Sequence, residues 1–218
     1  MDLIQADDRK NLAKVQTGKT SKWPRTERRQ TRTRQVAERR QPDLTVVLEN
    51  VHDSHNVSAV LRSCDAVGVL GIHTIYSDEA VPERAYARTT SGSAAKWIDV
   101  QHHASVVDCY AILRARGFRI YATALTEAPI DLIDLEMTQP IALVFGNEMR
   151  GVSEEAIVHA DGALRIPMMG MIESLNISVA CAVCLFEAMR QRRESCAYDS
   201  PKLESDVLDS LVNQWLNR

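Results

Sequence analysis

The chain has 218 residues, a formal net charge of −3 and a hydrophobic fraction of 45%. This length suits one domain with extensions, or two small domains, and can bury a sizeable core. No apolar run approaches the ~18 residues that a membrane-spanning helix needs, and the first residues lack the order of a secretory signal. We therefore expect no membrane partner.

The five cysteines are scattered along the chain and odd in number, which favours a reducing compartment and a cytoplasmic location. Cys181 and Cys184 lie three residues apart on one face of an apolar helix. We interpret them as small core residues, because no second Cys or His pair stands nearby to complete a zinc site. No bound metal is expected.

Charge is unevenly distributed along the chain. Residues 9–40 contain 12 Lys or Arg and two Glu, whereas the remaining residues are acidic overall. A basic arm on an acidic body indicates a polyanionic partner that meets one face, although a solvated tail would have the same composition.

The elements after this arm alternate between strands and helices. Short β-branched runs predict strands at 45–51, 71–77, 96–100, 119–125, 141–147 and 163–167. Helical spacing and Gly or Pro stops predict helices at 56–68, 104–117, 153–160, 177–189 and 200–218. Residues 78–95 predict an irregular segment.

This alternation predicts an α/β fold with a mostly parallel sheet covered by helices on both faces. Ligands of such sheets bind beyond the carboxyl ends of the strands. The loops after 141–147 and 163–167 read EMRG and MMGMIESLN, and their glycines let backbone amides approach a ligand closely. No G-x-G-x-x-G or phosphate-loop motif is present, so the usual nucleotide folds are not supported.

Three segments together carry a family resemblance: HNVSAVLR (55–62), FGNEMRGVS (145–153) and IPMMGMIESLNISVA (166–180). Their order and content resemble the signature motifs of the SPOUT RNA methyltransferases, in particular the TrmH branch of tRNA guanosine 2′-O-methyltransferases. The likeness runs from about Thr26 to the C-terminus. It implies S-adenosyl-L-methionine as the methyl donor, a tRNA substrate, a homodimer and a deep trefoil knot in about 141–193.

The resemblance also divides the chain. We expect a disordered extension at 1–21, a basic helical arm at 22–42, the SPOUT methyltransferase domain at 43–195 and a C-terminal helical extension at 196–218. The expected reaction is 2′-O-methylation of the D-loop guanosine at position 18.

The resemblance implies catalytic roles for Arg62, Asn56, Glu148, Ser174 and Asn176. Arginine is a poor base because its pKa exceeds ~12, so Arg62 is expected to grip an RNA phosphate that positions and polarises the ribose hydroxyl. Simpler interpretations remain: a surface arginine, a loop carboxylate, and Ser or Asn residues that cap helices.

Cofactor contacts are implied for Thr123, Gly146, Ile166 and Leu175, through main-chain groups and apolar contact with adenine. Ile166 and Leu175 are equally consistent with ordinary core residues.

Residues that match positions used on tRNA are Arg29, Arg32, Arg40, His55, Arg190 and Arg192. Three residues depart from the family pattern. Asp53 and Ser54 stand where relatives often carry Lys-Pro, and Glu173 replaces a more usual Gln. These changes place acid beside the expected RNA face and could weaken or narrow tRNA binding.

Two alternative functions stay open from the sequence. The chain could methylate another tRNA or rRNA ribose, or it could be a non-catalytic tRNA-binding protein. Retention of Arg62, Glu148, Ser174 and Asn176 argues against the second.

Overall fold

A computed structural model describes residues 26–77 and 94–218, and within them the centre of the molecule is a seven-stranded parallel sheet. The strands are β1 (Leu44–Glu49), β2 (Gly71–Ile75), β3 (Asp99–His103), β4 (Arg119–Thr123), β5 (Ile130–Asp131), β6 (Ile141–Phe145) and β7 (Gly162–Arg165). Their spatial order is β3-β2-β1-β6-β4-β7-β5, and every neighbouring pair is parallel. The predicted α/β class with a parallel sheet is confirmed.

The described helices are α1 (Glu27–Ala37), α2 (Ser54–Val67), α3 (Val106–Ala115), α4 (Glu154–Val158), α5 (Ile177–Glu194) and α6 (Ser205–Leu216). Local signals account for several of their ends. Thr26, Ser105 and Ser153 each accept a hydrogen bond from a backbone N–H in the first turn of α1, α3 and α4. Helix α2 stops at Gly68, which has φ +87°, and an added Cβ there would lie 2.7 Å from the Arg39 carbonyl oxygen.

The central strands are apolar because both faces of the sheet are covered. All six residues of β1 are buried. On one face, Val46 and Leu48 pack in a core with residues of α2 and α5. On the other face, Val47 joins a second core built with α3 and α4. These two layers fix the carboxyl ends of β1 and β6 at the centre of the molecule.

The terminal helices α1 and α6 pack on one another and form a third apolar cluster around Leu211 and Trp215. The Trp215 ring lies edge-on to Trp97, with centroids 5.4 Å apart. An ion pair between Arg34 and Asp209 joins the exposed sides of the two helices. Helices α1 and α6 therefore form one packed layer.

One strand was predicted at a shifted position, and one was missed. The third predicted strand, at 96–100, is shifted, since Ala94–Lys96 forms a 3-10 turn and β3 occupies Asp99–His103. Strand β3 lies at an edge and is mostly polar, so it lacks the apolar signature that the prediction used. Strand β5 was missed because two residues carry no periodic pattern.

The predicted disordered extension at 1–21 lies outside the described residues, as does most of the irregular segment predicted at 78–95. Among the described helices, none combines the length and apolar character required to cross a bilayer.

Candidate active site

Three loops meet at the carboxyl ends of the central strands. Helix α2 begins shortly after β1, residues 146–152 follow β6, and residues 166–176 follow β7 before α5 begins. Strands β1 and β6 are neighbours, with Leu48 paired to Phe145 at their ends. The sheet therefore brings together the three motif segments that the sequence analysis singled out.

A hydrogen-bonded chain of side chains joins the three motifs. Asn176 Nδ2 donates to Asn56 Oδ1 at 3.1 Å, and Asn56 Nδ2 donates to Glu148 Oε1 at 2.6 Å. Asn176 is also the N-cap of α5, where its Oδ1 accepts from the backbone N–H of Ser178 at 2.9 Å. We call Asn176, Asn56 and Glu148 the amide relay. Each amide donates to the next member, so the relay fixes the orientation of the Glu148 carboxylate.

The loop after β6 is a tight turn that requires glycine at Gly146. A Cβ on Gly146 would lie 2.0 Å from the carbonyl carbon and oxygen of Gly151. Gly151 has φ +70° and donates its backbone N–H to the Asn147 carbonyl at 2.7 Å. The Asn147 side chain accepts from the N–H of Met149 at 2.8 Å, and its Nδ2 donates to the Asn50 carbonyl at 2.9 Å. The backbone of 146–151 is thus held in one shape before any ligand arrives.

Glu49 and Asn147 are site-shaping residues that sequence reasoning missed. Glu49 ends β1 and is buried, and its carboxylate accepts from the backbone N–H of Ser153 at 2.8 Å and from the Ser153 hydroxyl at 2.5 Å. This contact anchors the far end of the loop after β6 to the neighbouring strand. An acidic residue that closes an otherwise apolar strand was the available signal.

Arg62 and Ser174 lie outside the amide relay. Arg62 is exposed on α2, and no hydrogen bond or ion pair holds its side chain within the part of the chain that the structure describes. Ser174 is exposed in the loop before α5, and the cap of that helix is Asn176 alone. An unengaged guanidinium at the surface is free to bind an external anion.

The residues predicted to bind the cofactor also lie at the carboxyl ends of the strands. Thr123 ends β4, and its hydroxyl donates to the Val144 carbonyl at 2.9 Å, which leaves main-chain groups rather than the hydroxyl for a ligand. Gly146 follows β6 and is buried. Ile166 follows β7, packs partly against the core and, like Leu175, is half-buried. The structure thus brings these four positions to one rim.

Four of the predicted RNA-contacting residues have accessible side chains. Arg29 and Arg32 lie three residues apart on α1, with Arg32 exposed and Arg29 partly so. His55 is exposed in the first turn of α2, where Asp53 caps the helix by accepting from the His55 N–H at 2.8 Å. Arg190 is half exposed but paired with two glutamates of its own helix.

For Arg40 and Arg192 the predicted RNA contact was wrong, because both side chains are fully buried. Arg192 donates to Asp43 and Gln41 and to the carbonyls of Met137 and Gln139, so its guanidinium is saturated inside the protein. Both guanidinium groups bind groups of neighbouring elements inside the protein, so neither is available to bind a phosphate.

Arg40 has its own internal partners. Its guanidinium donates to the Val69 carbonyl at 2.8 Å, pairs with Asp65 and lies 4.9 Å from the centre of a Trp215 ring. It joins the terminal helices to α2.

Comparisons with known proteins identify the family of the chain. Residues 43–186 match the model of the SpoU rRNA Methylase family. The chain is 48% identical over 194 residues to the tRNA (guanosine(18)-2'-O)-methyltransferase of Thermus thermophilus, which covers 89% of this chain and 98% of that protein. The crystal structure of the Aquifex aeolicus TrmH/SpoU tRNA modifying enzyme superposes with a TM-score of 0.80 at 37% identity, over 87% of this chain and 95% of that one.

A second similar structure contains the cofactor. The SpoU methyltransferase AviRb from Streptomyces viridochromogenes, in complex with AdoMet, matches with a TM-score of 0.61 at 27% identity, over 72% of this chain and 59% of that one. The fold and the three joined motifs define an S-adenosylmethionine-dependent methyltransferase. The chain belongs to the SpoU methylase family, which confirms the family predicted from the motifs.

Proposed function

We propose that this protein transfers the methyl group of S-adenosyl-L-methionine to the 2′-hydroxyl of the guanosine at position 18 of tRNA. The observation that supports this most directly is the amide relay, which ties the three motif segments into one site. Identity of 48% to a relative of that activity, over 98% of that relative's length, supports the same substrate.

The cofactor supplies an electrophilic methyl group on sulfonium when it is bound. The main-chain groups of Thr123, Gly146 and Ile166, together with the Leu175 side chain, hold it at the rim of the sheet. Gly146 suits this role because the turn leaves no room for a side chain beside its backbone. The preformed turn avoids the cost of ordering a loop when the cofactor binds.

Arg62 binds an RNA phosphate and thereby orients the attacking ribose hydroxyl, while the relay keeps the Glu148 carboxylate pointed into the site. Ser174 completes the polar rim of the pocket. Positioning of this kind can account for a large part of a rate enhancement, because it converts an encounter into an aligned attack. The exposed position of Arg62 suits contact with RNA from outside the protomer.

The tRNA backbone is bound by exposed arginines on α1. A groove of about 560 Å³ between α1 and the end of α5 is lined by Arg32, Arg39 and Arg193, of which the sequence analysis singled out only Arg32. Two acids, Asp65 and Asp199, also line the groove, so its electrostatic potential has both positive and negative regions.

Removing Arg29 and Arg32 should weaken tRNA binding in a salt-sensitive way. Each lost phosphate contact reduces the slope of log K against log salt by about 0.7–0.9, so the double alanine variant should lower it by ~1.5. Binding of a labelled tRNA transcript from 50 to 300 mM salt measures this slope. Arg119→Ala, which removes an exposed arginine of β4 outside α1, is the matched control. An unchanged slope in the double variant would contradict the role of α1.

The working form is a homodimer with the C-terminal segment of about 141–193 threaded as a trefoil knot. Three apolar side chains on α5, Val179, Val183 and Phe186, are 48%, 38% and 48% exposed and lie at helical spacing on one face. The opposite face of α5 packs on α2. An exposed apolar stripe on a helix this central supports a subunit contact there.

Phe186→Glu should convert the dimer to a monomer, because two symmetry-related carboxylates would be buried unpaired at the contact. Light scattering coupled to size exclusion measures the mass, and circular dichroism checks the fold. Val158→Glu, at a 72% exposed valine outside α5, is the control and should leave the mass unchanged. A Phe186→Glu protein that stays dimeric would exclude this face.

The proposed compartment is the cytoplasm, where the tRNA substrate is available. All five cysteines lie in the described residues and are free thiols. This agrees with a reducing environment.

A methylation assay tests the proposed function. Unmodified tRNA transcripts and labelled S-adenosylmethionine are incubated with the full-length protein, and the modified nucleotide is mapped. Label in the 2′-O-methyl group of guanosine 18 is the expected result. Label at another ribose would keep the reaction but overturn the substrate, and tight tRNA binding without label would favour the non-catalytic alternative.

A further inference from the structure

A cluster of two imidazoles and a thiol lies outside the candidate active site. His73 is on β2, His103 ends β3 and Cys109 is in α3. One nitrogen of each imidazole and the Cys109 sulfur all lie within 4.8 Å of one another. The family motifs do not include any of these residues, and the proposed reaction makes no use of them.

The parallel sheet and the helix above it create this cluster. His103 pairs with Ile75, two positions beyond His73 on β2, so both imidazoles project from the same face of the sheet. Helix α3 packs on that face against β2 and β3 and brings Cys109 over the imidazoles. The two imidazoles are stacked, with centroids 5.1 Å apart, and His73 Nδ1 lies 2.8 Å from His103 Nε2.

We propose that His73, His103 and Cys109 bind one Zn²⁺ ion, which ties the edge strand β3 to β2 and α3. Two histidines and one cysteine are a ligand set that zinc accepts, with water in the fourth tetrahedral position. Nitrogens on one tetrahedral zinc lie roughly 3.3 Å apart, given Zn–N bonds of about 2.0–2.1 Å. The two nitrogens would have to separate by about half an ångström to reach that spacing, and the Cys109 sulfur, within 4.8 Å of them, would have to approach.

The protonation states support the assignment of ligands. Burial lowers the pKa of His73 to about 3 and also lowers the pKa of His103, so both imidazoles are neutral. The two facing nitrogens share a hydrogen bond, so the nitrogen that donates it must pass its proton to the other nitrogen of its own ring before it binds zinc. Burial raises the pKa of Cys109 to about 12. Zinc therefore displaces the thiol proton to solvent as the Zn–S bond forms, and the thiolate offsets one of the two positive charges.

The surroundings of the cluster leave one side accessible to an ion and place one acidic and one basic group near it. His73 and Cys109 are buried, whereas His103 is half-buried and opens towards solvent. The Asp108 carboxylate acts on His103, and the Arg116 guanidinium acts on His73. His102 is held separately by a 2.7 Å contact between its Nδ1 and the Thr74 hydroxyl, so it does not compete as a ligand.

Cobalt(II) is the probe for this site, because a tetrahedral cobalt–thiolate complex absorbs in the near ultraviolet and visible. The full-length protein is stripped with a chelator, kept reduced with a non-thiol reductant and titrated with Co²⁺. We expect one equivalent to give the thiolate charge-transfer band and Zn²⁺ to bleach it. Cys109→Ser should abolish the band, and Cys196→Ser, which removes an exposed cysteine elsewhere, should retain it. Absence of the band in the wild type, or its survival in Cys109→Ser, would overturn the proposal.

Thermal unfolding gives a second measurement that does not depend on the thiolate. Zinc at a hundredfold excess over its Kd should raise the Tm of the wild type by roughly 5–10 °C. His103→Gln, at the half-buried ligand, should fold but lose this shift. An equal shift in that variant would show binding elsewhere and contradict the site. Methyl transfer is not the measured quantity, so failure here leaves the proposed function untouched.

Discussion

Arg62→Lys should reduce the rate of methyl transfer by about 10²–10⁴-fold while leaving the affinity for S-adenosylmethionine unchanged. Lysine keeps the positive charge but loses the planar fork that binds a phosphate through two hydrogen bonds, so the ribose hydroxyl would no longer be aligned. The side chain is exposed and makes no hydrogen bond or ion pair within the described residues, so its replacement should not disturb the fold. Single-turnover methylation of a tRNA transcript measures the rate, and calorimetry measures cofactor binding.

Arg119→Lys provides the control for this experiment. Arg119 is also exposed, but it begins β4 at the opposite end of the sheet from the carboxyl ends. It should keep wild-type turnover. Near-normal turnover in Arg62→Lys would exclude the proposed binding of an RNA phosphate by Arg62. If cofactor binding were lost together with turnover, Arg62 would act on the cofactor instead.

The fold class was predictable because its signal is local. Buried parallel strands are continuous apolar runs, and β1, with every residue buried, was identified from TVVLENV alone. Helix stops were equally clear, as at Gly68. Strand β3 shows the limit of this approach: at the edge of the sheet, backbone pairing with β2 fixes the strand while its side chains stay polar.

The site was predictable as a set of segments but not as a set of contacts. Asn56 and Glu148 are 92 residues apart in sequence, and Asn56 and Asn176 are 120 apart. No periodicity in one sequence relates such positions, and the crossover connections of the sheet alone bring them together. The same reason explains why the His73, His103 and Cys109 cluster was not foreseen.

The predicted RNA contact was wrong for the two buried arginines, and the reason can be traced to local sequence. Arg40 stands in a run of exposed basic residues, and Arg192 stands beside Arg190 and Arg193, so each resembles a surface cation in local sequence. Burial of Arg192 depends on Asp43, which precedes β1 and lies 149 residues away. A charge is buried only where distant partners saturate it, and those partners are known only once the chain is folded.

Gly146→Ala should abolish S-adenosylmethionine binding and lower stability by roughly 1–3 kcal/mol. The new methyl group would lie 2.0 Å from the backbone carbonyl of Gly151 and 2.2 Å from the Val152 nitrogen. Backbone atoms cannot rotate away, so the whole loop from 146 to 152 must move. That movement would also pull Glu148 away from Asn56 and break the relay. Calorimetry with the cofactor and urea unfolding measure the two effects.

Gly170→Ala is the matched control, because a Cβ there meets no atom of the described residues within 4 Å. Gly170 lies in the third loop of the site, residues 166–176. Comparing the two variants therefore distinguishes a specific need for glycine at position 146 from a general sensitivity of the site loops to substitution. We expect Gly170→Ala to bind the cofactor within a few-fold of wild type. Should Gly146→Ala bind as tightly as Gly170→Ala, the turn after β6 would not be the cofactor cradle. Loss of binding in both variants would instead mean that 166–176 closes over the ligand as tightly as the turn does.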